Sequence, residues 1–240
     1  MKITVGVLFG GRSVENEISV VTASQVMESM DRDKYEIVPI YIAKSGLWYT
    51  GAALLELDAY RDMPSLLRRC TEVYFKSIYG DHNLYSNSGL FGTQKVVAKL
   101  DTILPTLHGT NCEDGTLQGV LSVLGIPYVG CNTFASANGM DKISMKQILR
   151  SSGISVVDFH WFSDKEWDER REEVLDSIEK VLPYPVIVKP ANSGSSVGIS
   201  PAHSREELAE AIDNAAQFTT RIIVERMLSK LKEVNCSVMG

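Results

Sequence analysis

A lysine followed by a loop of small residues is the clearest chemical signal in the sequence. Lys189 ends an apolar run, and the loop behind it contains Gly194, Ser195, Ser196 and Val197. Glycine lets backbone N–H groups approach an anion closely, and serine hydroxyls add donors. In a Walker A loop the lysine follows the glycines, whereas here it precedes them on a strand. The pattern favours phosphate binding over an ordinary hairpin turn.

A second segment places a histidine and carboxylates directly after an apolar run. His108, Glu113 and Asp114 follow residues 101–107, which read as a strand. Open α/β sheets bind ligands at the carboxyl ends of their strands. Proximity to a helix N-terminus explains Asp114 alone, but it explains His108 and Glu113 less well. Taken alone, the segment leaves ligand binding and an ordinary loop equally open.

Two further carboxylates are weaker candidates. Glu15 follows the double glycine Gly10–Gly11 and suits a ligand ammonium, although, taken alone, the segment is explained better by an acidic residue at the positive end of a helix dipole. The glycines do not form GxGxxG, so no dinucleotide site is predicted. Glu225 ends an apolar run and could accept a hydrogen bond from an adenine amino group. On its own, an exposed charge at a strand end is the simpler interpretation.

Composition restricts the class of protein. The 240 residues carry a net charge of -6, which argues against nucleic acid as the main partner. The four cysteines show no Cys/His metal spacing. No signal peptide precedes the first strand, and no apolar run reaches the roughly 18 residues of a membrane span. A cytoplasmic protein without a membrane partner is therefore expected.

Strands and helices alternate in the first half, which predicts an α/β fold. Runs at residues 3–8 and 36–43 read as buried strands, and Val20, Ala23 and Met27 recur between them at helical spacing. This βαβ unit predicts a parallel sheet. Residues 44–95 lack a clear period and are interpreted as irregular, with a hairpin at most. Further predictions are a strand at 101–107, a helix at 116–124 ended by Gly125, and a strand at 127–129.

Small and polar residues at 131–141 predict a boundary before the second half. The elements expected beyond it are a helix at 142–150, a strand at 156–162, a helix from a capping box at 163–166 to about 181, strands at 185–189 and 197–200, a helix opened by a capping box at 204–207, and a strand at 221–225. The two strands around the Gly/Ser loop predict an antiparallel hairpin, not a Rossmann crossover.

Taken in order, six segments resemble the D-alanine–D-alanine ligase family. They are GGRSVENEIS, HGTNCEDGTLQG, PYVG, the Asp141–Lys142 pair, VIVKPANSGSSVGIS and IIVERML. The resemblance implies an ATP-grasp enzyme with an N-terminal open parallel α/β (pre-ATP-grasp) domain at 1–138 and a central α+β subdomain at 139–228. It implies that residues 229–240 begin a C-terminal subdomain.

The resemblance also implies a reaction. ATP phosphorylates the carboxylate of one D-alanine, and the amine of a second attacks the acyl phosphate, giving a dipeptide for peptidoglycan precursors. Mg²⁺ or Mn²⁺ neutralises the phosphates, with ligands expected beyond Gly240 and no metal site in this chain. The chain alone is therefore expected to be inactive. A homodimer is expected from the family.

Site residues follow from the same resemblance. Glu15 holds the ammonium of the first D-alanine, His108 and Glu113 line its pocket, and Ser195 orients the second amino acid. Glu15 and Ser195 are the catalytic candidates. The ATP-binding set is Lys142, Lys189, Gly194, Ser195, Ser196, Val197, Glu225, Arg226, Leu228 and Glu233, with both lysines on phosphates, residues 225–228 at the adenine and Glu233 at the ribose.

Two alternatives remain open at the level of sequence. A related ligase could use D-lactate or D-serine as second substrate, which a substrate panel distinguishes. A non-catalytic nucleotide-binding module would keep the phosphate loop and show no D-alanine-dependent phosphate release.

Overall fold

The computed structural model describes residues 2–87, 93–194 and 196–238. The chain divides into two compact units, Met1–Asp141 and Lys142–Gly240. Each unit has its own sheet and its own hydrophobic core.

The first unit is built on a mainly parallel sheet. In its described part the strands are β1 (Ile3–Gly10), β2 (Tyr35–Ile42), β3 (Trp48–Thr50), β4 (Thr71–Val73), β5 (Asn83–Ser86), β6 (Lys95–Lys99) and β7 (Thr102–Pro105). Five of them form one sheet in the order β4-β3-β2-β1-β7. β1 pairs in parallel with β2 and β7, which confirms the predicted βαβ opening.

The described part of this unit also contains helices. They are α1 (Asn16–Ser29), α2 (Met63–Arg68), α3 (Thr116–Leu124) and α4 (Thr133–Met140), with 3-10 turns at Ala52–Leu55 and Leu57–Arg61. α1 buries Val20, Ala23 and Met27, the residues whose spacing predicts it. α3 has the predicted bounds because Gly125 adopts a left-handed conformation and ends it.

Two predictions for this unit are wrong. Residues 44–95 are not irregular, since β3 and β4 extend the sheet antiparallel and β5 pairs with β6. Strands of three residues are too short to show a period. The boundary predicted at 131–141 stays a prediction, and part of that segment forms α4, whose small side chains give no apolar stripe but whose first turn is capped by Asn132. The strand at 127–129 is reduced to one bridge, Ile103 to Tyr128.

The second unit has an antiparallel sheet with helices on both faces. Its strands are β8 (Phe159–Ser163), β9 (Val186–Pro190), β10 (Ser200–Ala202) and β11 (Arg221–Arg226), in the order β10-β9-β11-β8. Its helices are α5 (Lys142–Ser151), α6 (Asp164–Glu169), α7 (Arg171–Glu179) and α8 (Arg205–Ala216). Val188 and Val224 point into a core shared with α7 and α8. β9 and β10 form the predicted antiparallel hairpin.

In this unit, some helices and strands begin or end at other residues than predicted, and the backbone conformation and hydrogen bonds show where. The capping box at Ser163 and Glu166 is confirmed, but the expected helix breaks at Arg170, whose φ is -140°. The second capping box is wrong: Ser204 accepts from Glu207 N–H at 3.3 Å, while the Glu207 carboxylate accepts from His203 N–H. β8 and β10 begin three residues later than predicted.

Candidate functional site

The first unit gathers three predicted site residues where β1 and β7 end. Glu15 precedes α1 and makes no capping bond to it. A Cβ built on Gly109 would lie 2.3 Å from Glu15 Oε2, so that carboxylate lies against the backbone after His108. Glu113 Oε2 accepts from the Gly109 N–H at 2.7 Å. The structure thus brings Glu15, His108 and Glu113 together, and we call these three residues the carboxylate–histidine cluster.

One serine hydroxyl joins the two loops of this cluster. Ser13 donates to the carbonyl oxygen of His108 at 2.8 Å and accepts from the Glu15 N–H at 3.2 Å. The double glycine before Ser13 lets the chain turn here, since Gly10 and Gly11 both have positive φ. The sequence segments after β1 and β7 are therefore held in one fixed arrangement.

The His108 ring is oriented by a residue of α1. Its Nε2 lies 2.9 Å from Thr22 Oγ1, and Thr22 donates its single hydroxyl proton to Ile18 O at 3.1 Å. The His108 Nε2–H is therefore the donor to Thr22 in this arrangement. The other ring nitrogen, Nδ1, lies 4.0 Å from Glu113 Oε1. Histidine and carboxylate thus face each other at the rim.

Two buried polar residues that the sequence interpretation missed support the cluster from below. Asn16 donates to Gly11 O at 2.7 Å and accepts from the Tyr41 hydroxyl. Ser19 accepts from the Gly10 N–H and donates to Thr106 O. Both are almost fully buried. Their position one turn apart at the start of an amphipathic helix, facing the sheet, is the signal that could have identified them.

The cysteine inside this segment is not a nucleophile. Burial, reinforced by the charges of Asp114, Glu113 and Glu15, raises the pKa of the Cys112 thiol to about 12. At neutral pH it is a protonated, buried thiol. The chemistry of the cluster therefore rests on carboxylates and an imidazole, which suit a ligand that carries an ammonium group.

The second unit presents a charged face on the side of its sheet opposite α7 and α8. The register pairs Lys189 with Ile223 and Glu225 with Ile187, so both charged side chains share one face. Lys189 Nζ lies 2.9 Å from Glu225 Oε2, and Lys146 Nζ lies 3.3 Å from Glu225 Oε1. We call these three residues the lysine–glutamate triad.

α5 connects this face to the Gly/Ser loop. Lys142 N–H donates to Ala191 O, and Lys142 Nζ donates to Ser193 O at 2.7 Å. The loop then turns at Ser196, whose φ is 59°. Among the predicted loop residues, Gly194, Ser196 and Val197 are described, and the Val197 N–H donates to Gly194 O. Ser195 lies outside the described residues.

The other predicted nucleotide residues lie after the triad along the chain. Arg226 is exposed and, as the neighbour of Glu225 in β11, points to the opposite side of the strand. Leu228 is 43% exposed and Glu233 is exposed, both beyond the last strand. No described contact joins these three side chains to the triad.

Lys146 is the functional candidate that the sequence interpretation missed. Its side chain is 12% exposed, and its ammonium group forms an ion pair with Glu225. Lys142 and Lys146 are four residues apart on α5, so they project from one face of the helix. That spacing, on a helix whose first residue was already a candidate, is the signal that could have identified it.

The cavities do not all coincide with these residues. One cavity of about 570 Å³ is lined mainly by apolar side chains such as Val20, Tyr60 and Leu67 and does not include the carboxylate–histidine cluster. A cavity of about 450 Å³ is lined by Glu113 and Gln118 and lies beside that cluster. The polar chemistry, rather than the volume, identifies the second of these as the better ligand site.

Metal and membrane sites are not found in the part of the chain that the structure describes. There, no group of three histidine, cysteine, aspartate or glutamate side chains could hold a metal ion. Within the same residues, no helix is long and apolar enough to cross a membrane.

Comparison with known proteins gives matches along nearly the whole chain. The family described as "D-ala D-ala ligase N-terminus" matches residues 4–131, and "D-ala D-ala ligase C-terminus" matches residues 148–240. A D-alanine–D-alanine ligase of Thermosipho melanesiensis is 42% identical over 238 residues, which are 99% of this chain and 63% of the relative. The chain thus spans about 63% of the length of that curated relative.

Solved structures give the same result. The VanG D-Ala:D-Ser ligase from Enterococcus faecalis is 33% identical with a TM-score of 0.81, and the match covers 95% of this chain and 64% of that one. The D-alanine–D-alanine ligase from Bacillus anthracis complexed with ATP is 26% identical with a TM-score of 0.62, covering 95% and 59%. The mixed α/β architecture is therefore that of the ATP-grasp ligases.

Proposed function

Because the chain belongs to the D-alanine–D-alanine ligase family, we propose that the whole protein is an ATP-dependent ligase that joins two D-alanines for peptidoglycan precursors. The observation that carries this proposal is the carboxylate–histidine cluster, in which Glu15, His108 and Glu113 meet around Gly109. A site that presents two carboxylates suits the ammonium group of an amino acid.

Glu15 binds the ammonium of the first D-alanine in this proposal. Its carboxylate is not used to cap α1, and Ser13 and Gly109 fix the backbone around it. His108 and Glu113 line the same pocket in this proposal. A carboxylate is a poor electrophile, so it must receive a phosphoryl group before an amine displaces it.

ATP lies on the second unit in this proposal. Lys142 and Lys189 contact phosphates, the loop at 194–197 covers them, and residues 225–228 frame the adenine. Lys142 has three N–H donors, so its present contact with Ser193 O does not prevent a phosphate contact. The similarity to a ligase complexed with ATP supports ATP as the nucleotide.

The proposed reaction transfers the γ-phosphoryl group of ATP to the first D-alanine carboxylate. The amine of the second D-alanine attacks the acyl phosphate, the C–O bond to phosphate breaks, and ADP and phosphate leave. Mg²⁺ would neutralise the phosphates when bound, but the described residues offer no ligand group for it, so no step is assigned through the metal. Five points stay predictions. They are the binding of ribose by Glu233, the role of Ser195, the inactivity of the chain alone, the domain limits and the homodimer.

D-serine is the second candidate for the attacking substrate, because a D-Ala:D-Ser ligase is among the similar structures. The test is an assay of ADP release by the whole protein with D-alanine alone, then with D-serine or D-lactate added. We expect release that depends on D-alanine and a D-alanyl-D-alanine product. A mixed product would favour the related ligases, and ATP binding without any release would favour the nucleotide-binding module.

A matched pair of variants tests the amino-acid site. Glu15→Gln removes one charge-assisted contact, so we expect D-alanine affinity to fall about 10- to 100-fold, as for loss of a hydrogen bond to a charged group. Glu17→Gln is the control, because Glu17 is exposed and pairs with Lys44 away from the cluster. Equal losses in the two variants would refute the role of Glu15.

A further inference from the structure

The lysine–glutamate triad contains two cations for one carboxylate. Glu225 is 6% exposed, and each of its oxygens faces a different lysine, Lys189 on Oε2 and Lys146 on Oε1. A carboxylate buried this deeply is strongly destabilising without a cation beside it. One lysine is enough to balance the charge of Glu225, so the second lysine is available for another role.

The two lysines differ in how readily each side chain can move away from Glu225. Lys189 lies on β9 directly before the Gly/Ser loop and is 22% exposed, whereas Lys146 is 12% exposed on the inner face of α5. Lys146 Nζ also lies 5.8 Å from the centre of the Phe159 ring, so its stem is packed. Lys189 is therefore the lysine able to turn toward a ligand, and Lys146 is the one that stays.

We propose that Lys146 is a positioning residue that keeps Glu225 paired when Lys189 turns from Glu225 to a nucleotide phosphate. This rests on the proposed function, in which Lys189 binds ATP. Lys146 itself does not touch the nucleotide. Without it, Lys189 cannot leave Glu225 unless a buried carboxylate loses its last cation, and nucleotide binding then has to overcome that loss.

The geometry of the Glu225–Lys146 contact agrees with this division. The 3.3 Å separation is an ion pair that lies outside hydrogen-bond geometry, so Oε1 is a buried acceptor without a described hydrogen bond. The shorter contact is the one to Lys189. A small movement of Glu225 toward Lys146 would complete the second bond as Lys189 departs.

The experiment combines a double-mutant cycle with ATP titration. Lys146→Met, Lys189→Met and the double variant keep the stems and remove the charges, and Lys146→Arg keeps a cation. Lys165→Met is the control, since Lys165 is 79% exposed and distant in sequence from the triad. Thermal unfolding midpoints are measured without nucleotide, and ATP affinity is measured by calorimetry.

We expect each single Lys→Met change to lower the midpoint moderately and the double change to lower it by more than the sum, because only the double variant strands Glu225. Lys146→Met should weaken ATP binding by about tenfold or more, as when a buried charged partner is removed. Lys146→Arg should restore most of the affinity, and Lys165→Met should change neither quantity.

Two results overturn the proposal on its own. They are additive midpoint losses, and ATP binding that Lys146→Met leaves unchanged while Lys189→Met abolishes it. A third result, no ATP binding by the unsubstituted protein, refutes the proposed function and the role of Lys146 with it. The failures of the two proposals are therefore distinguishable.

Discussion

Gly109 shows how one backbone position controls the carboxylate–histidine cluster. Its φ is +75°, and an added Cβ would meet Glu15 Oε2 at 2.3 Å. Gly109→Ala should therefore displace Glu15 and reduce D-alanine affinity at least about tenfold, the effect of losing a contact to a charged group. It should also cost about 1–2 kcal/mol of stability from the left-handed backbone.

Gly80→Ala separates these two effects. Gly80 has a similar φ of +78°, but a Cβ there meets nothing within 4 Å. We expect the same order of stability loss with unchanged D-alanine affinity, measured by urea unfolding and ligand titration. If both variants lose affinity equally, the close contact at Gly109 is not what positions Glu15.

Cys112 gives a prediction about reactivity. Its thiol is buried and its pKa is raised to about 12, while Cys131 and Cys236 are exposed. In iodoacetamide at pH 8, peptide mass spectrometry should find Cys131 and Cys236 alkylated and Cys112 protected. Urea should abolish that protection. Modification of Cys112 at the same rate in the folded protein would contradict the burial of this segment.

At the scale of elements, the capping box of α6 predicts a pH dependence. Hydrogen bonds from the Ser163 backbone and side chain lower the pKa of Glu166. A carboxylate with a lowered pKa stabilises the fold above its ordinary pKa of about 4.3, and this stabilisation disappears as pH falls through the lowered value. Glu166→Gln should therefore lower the unfolding midpoint at pH 7, with the difference from the unsubstituted protein shrinking below pH of about 4.

Glu169→Gln is the control for this change, because Glu169 is exposed and pairs only with Lys165 at 3.8 Å in the described contacts. It should alter the midpoint little at either pH. A Glu166→Gln effect of the same size at pH 3 and pH 7 would mean that packing, not charge, accounts for the cap.

Helices and strands with a repeated apolar pattern or a capping box could be predicted from sequence, and the others could not. The β1-α1-β2 unit was predicted because long apolar runs and the spacing of Val20, Ala23 and Met27 repeat one pattern several times. β3 and β4 have three residues each, too few to show a period, and β4 pairs with β3 across the 3-10 turns and α2 between them, which local sequence does not encode. α4 was missed because its side chains are small and none is buried.

The same distinction applies to the site. The motifs identified Glu15 and His108 because each follows a strand of the parallel sheet, and Lys189 and Glu225 because each stands at the end of an apolar run. Lys146 stands inside a helix without a motif, and its role depends on the fold bringing α5 against β11. Asn16 has no motif, and its role depends on buried hydrogen bonds to Gly11 and to Tyr41 of β2 that only the folded chain brings together.

In the whole molecule, the two units are proposed to bind different ligands. The first carries carboxylates at the end of a parallel sheet, and the second carries lysines beside a Gly/Ser loop on an antiparallel sheet. An ammonium-bearing substrate and a polyphosphate have opposite charges, so each should bind to a different unit. The matches to the N-terminal and C-terminal family descriptions cover the two units separately.

Hydrogen–deuterium exchange with each ligand added alone tests this division most directly. The account predicts that D-alanine slows exchange at residues 10–16 and 108–113, and that ATP slows exchange at residues 142–146 and in the loop at 191–199. Protection by ATP confined to the first unit, or protection by D-alanine confined to the second, would contradict it.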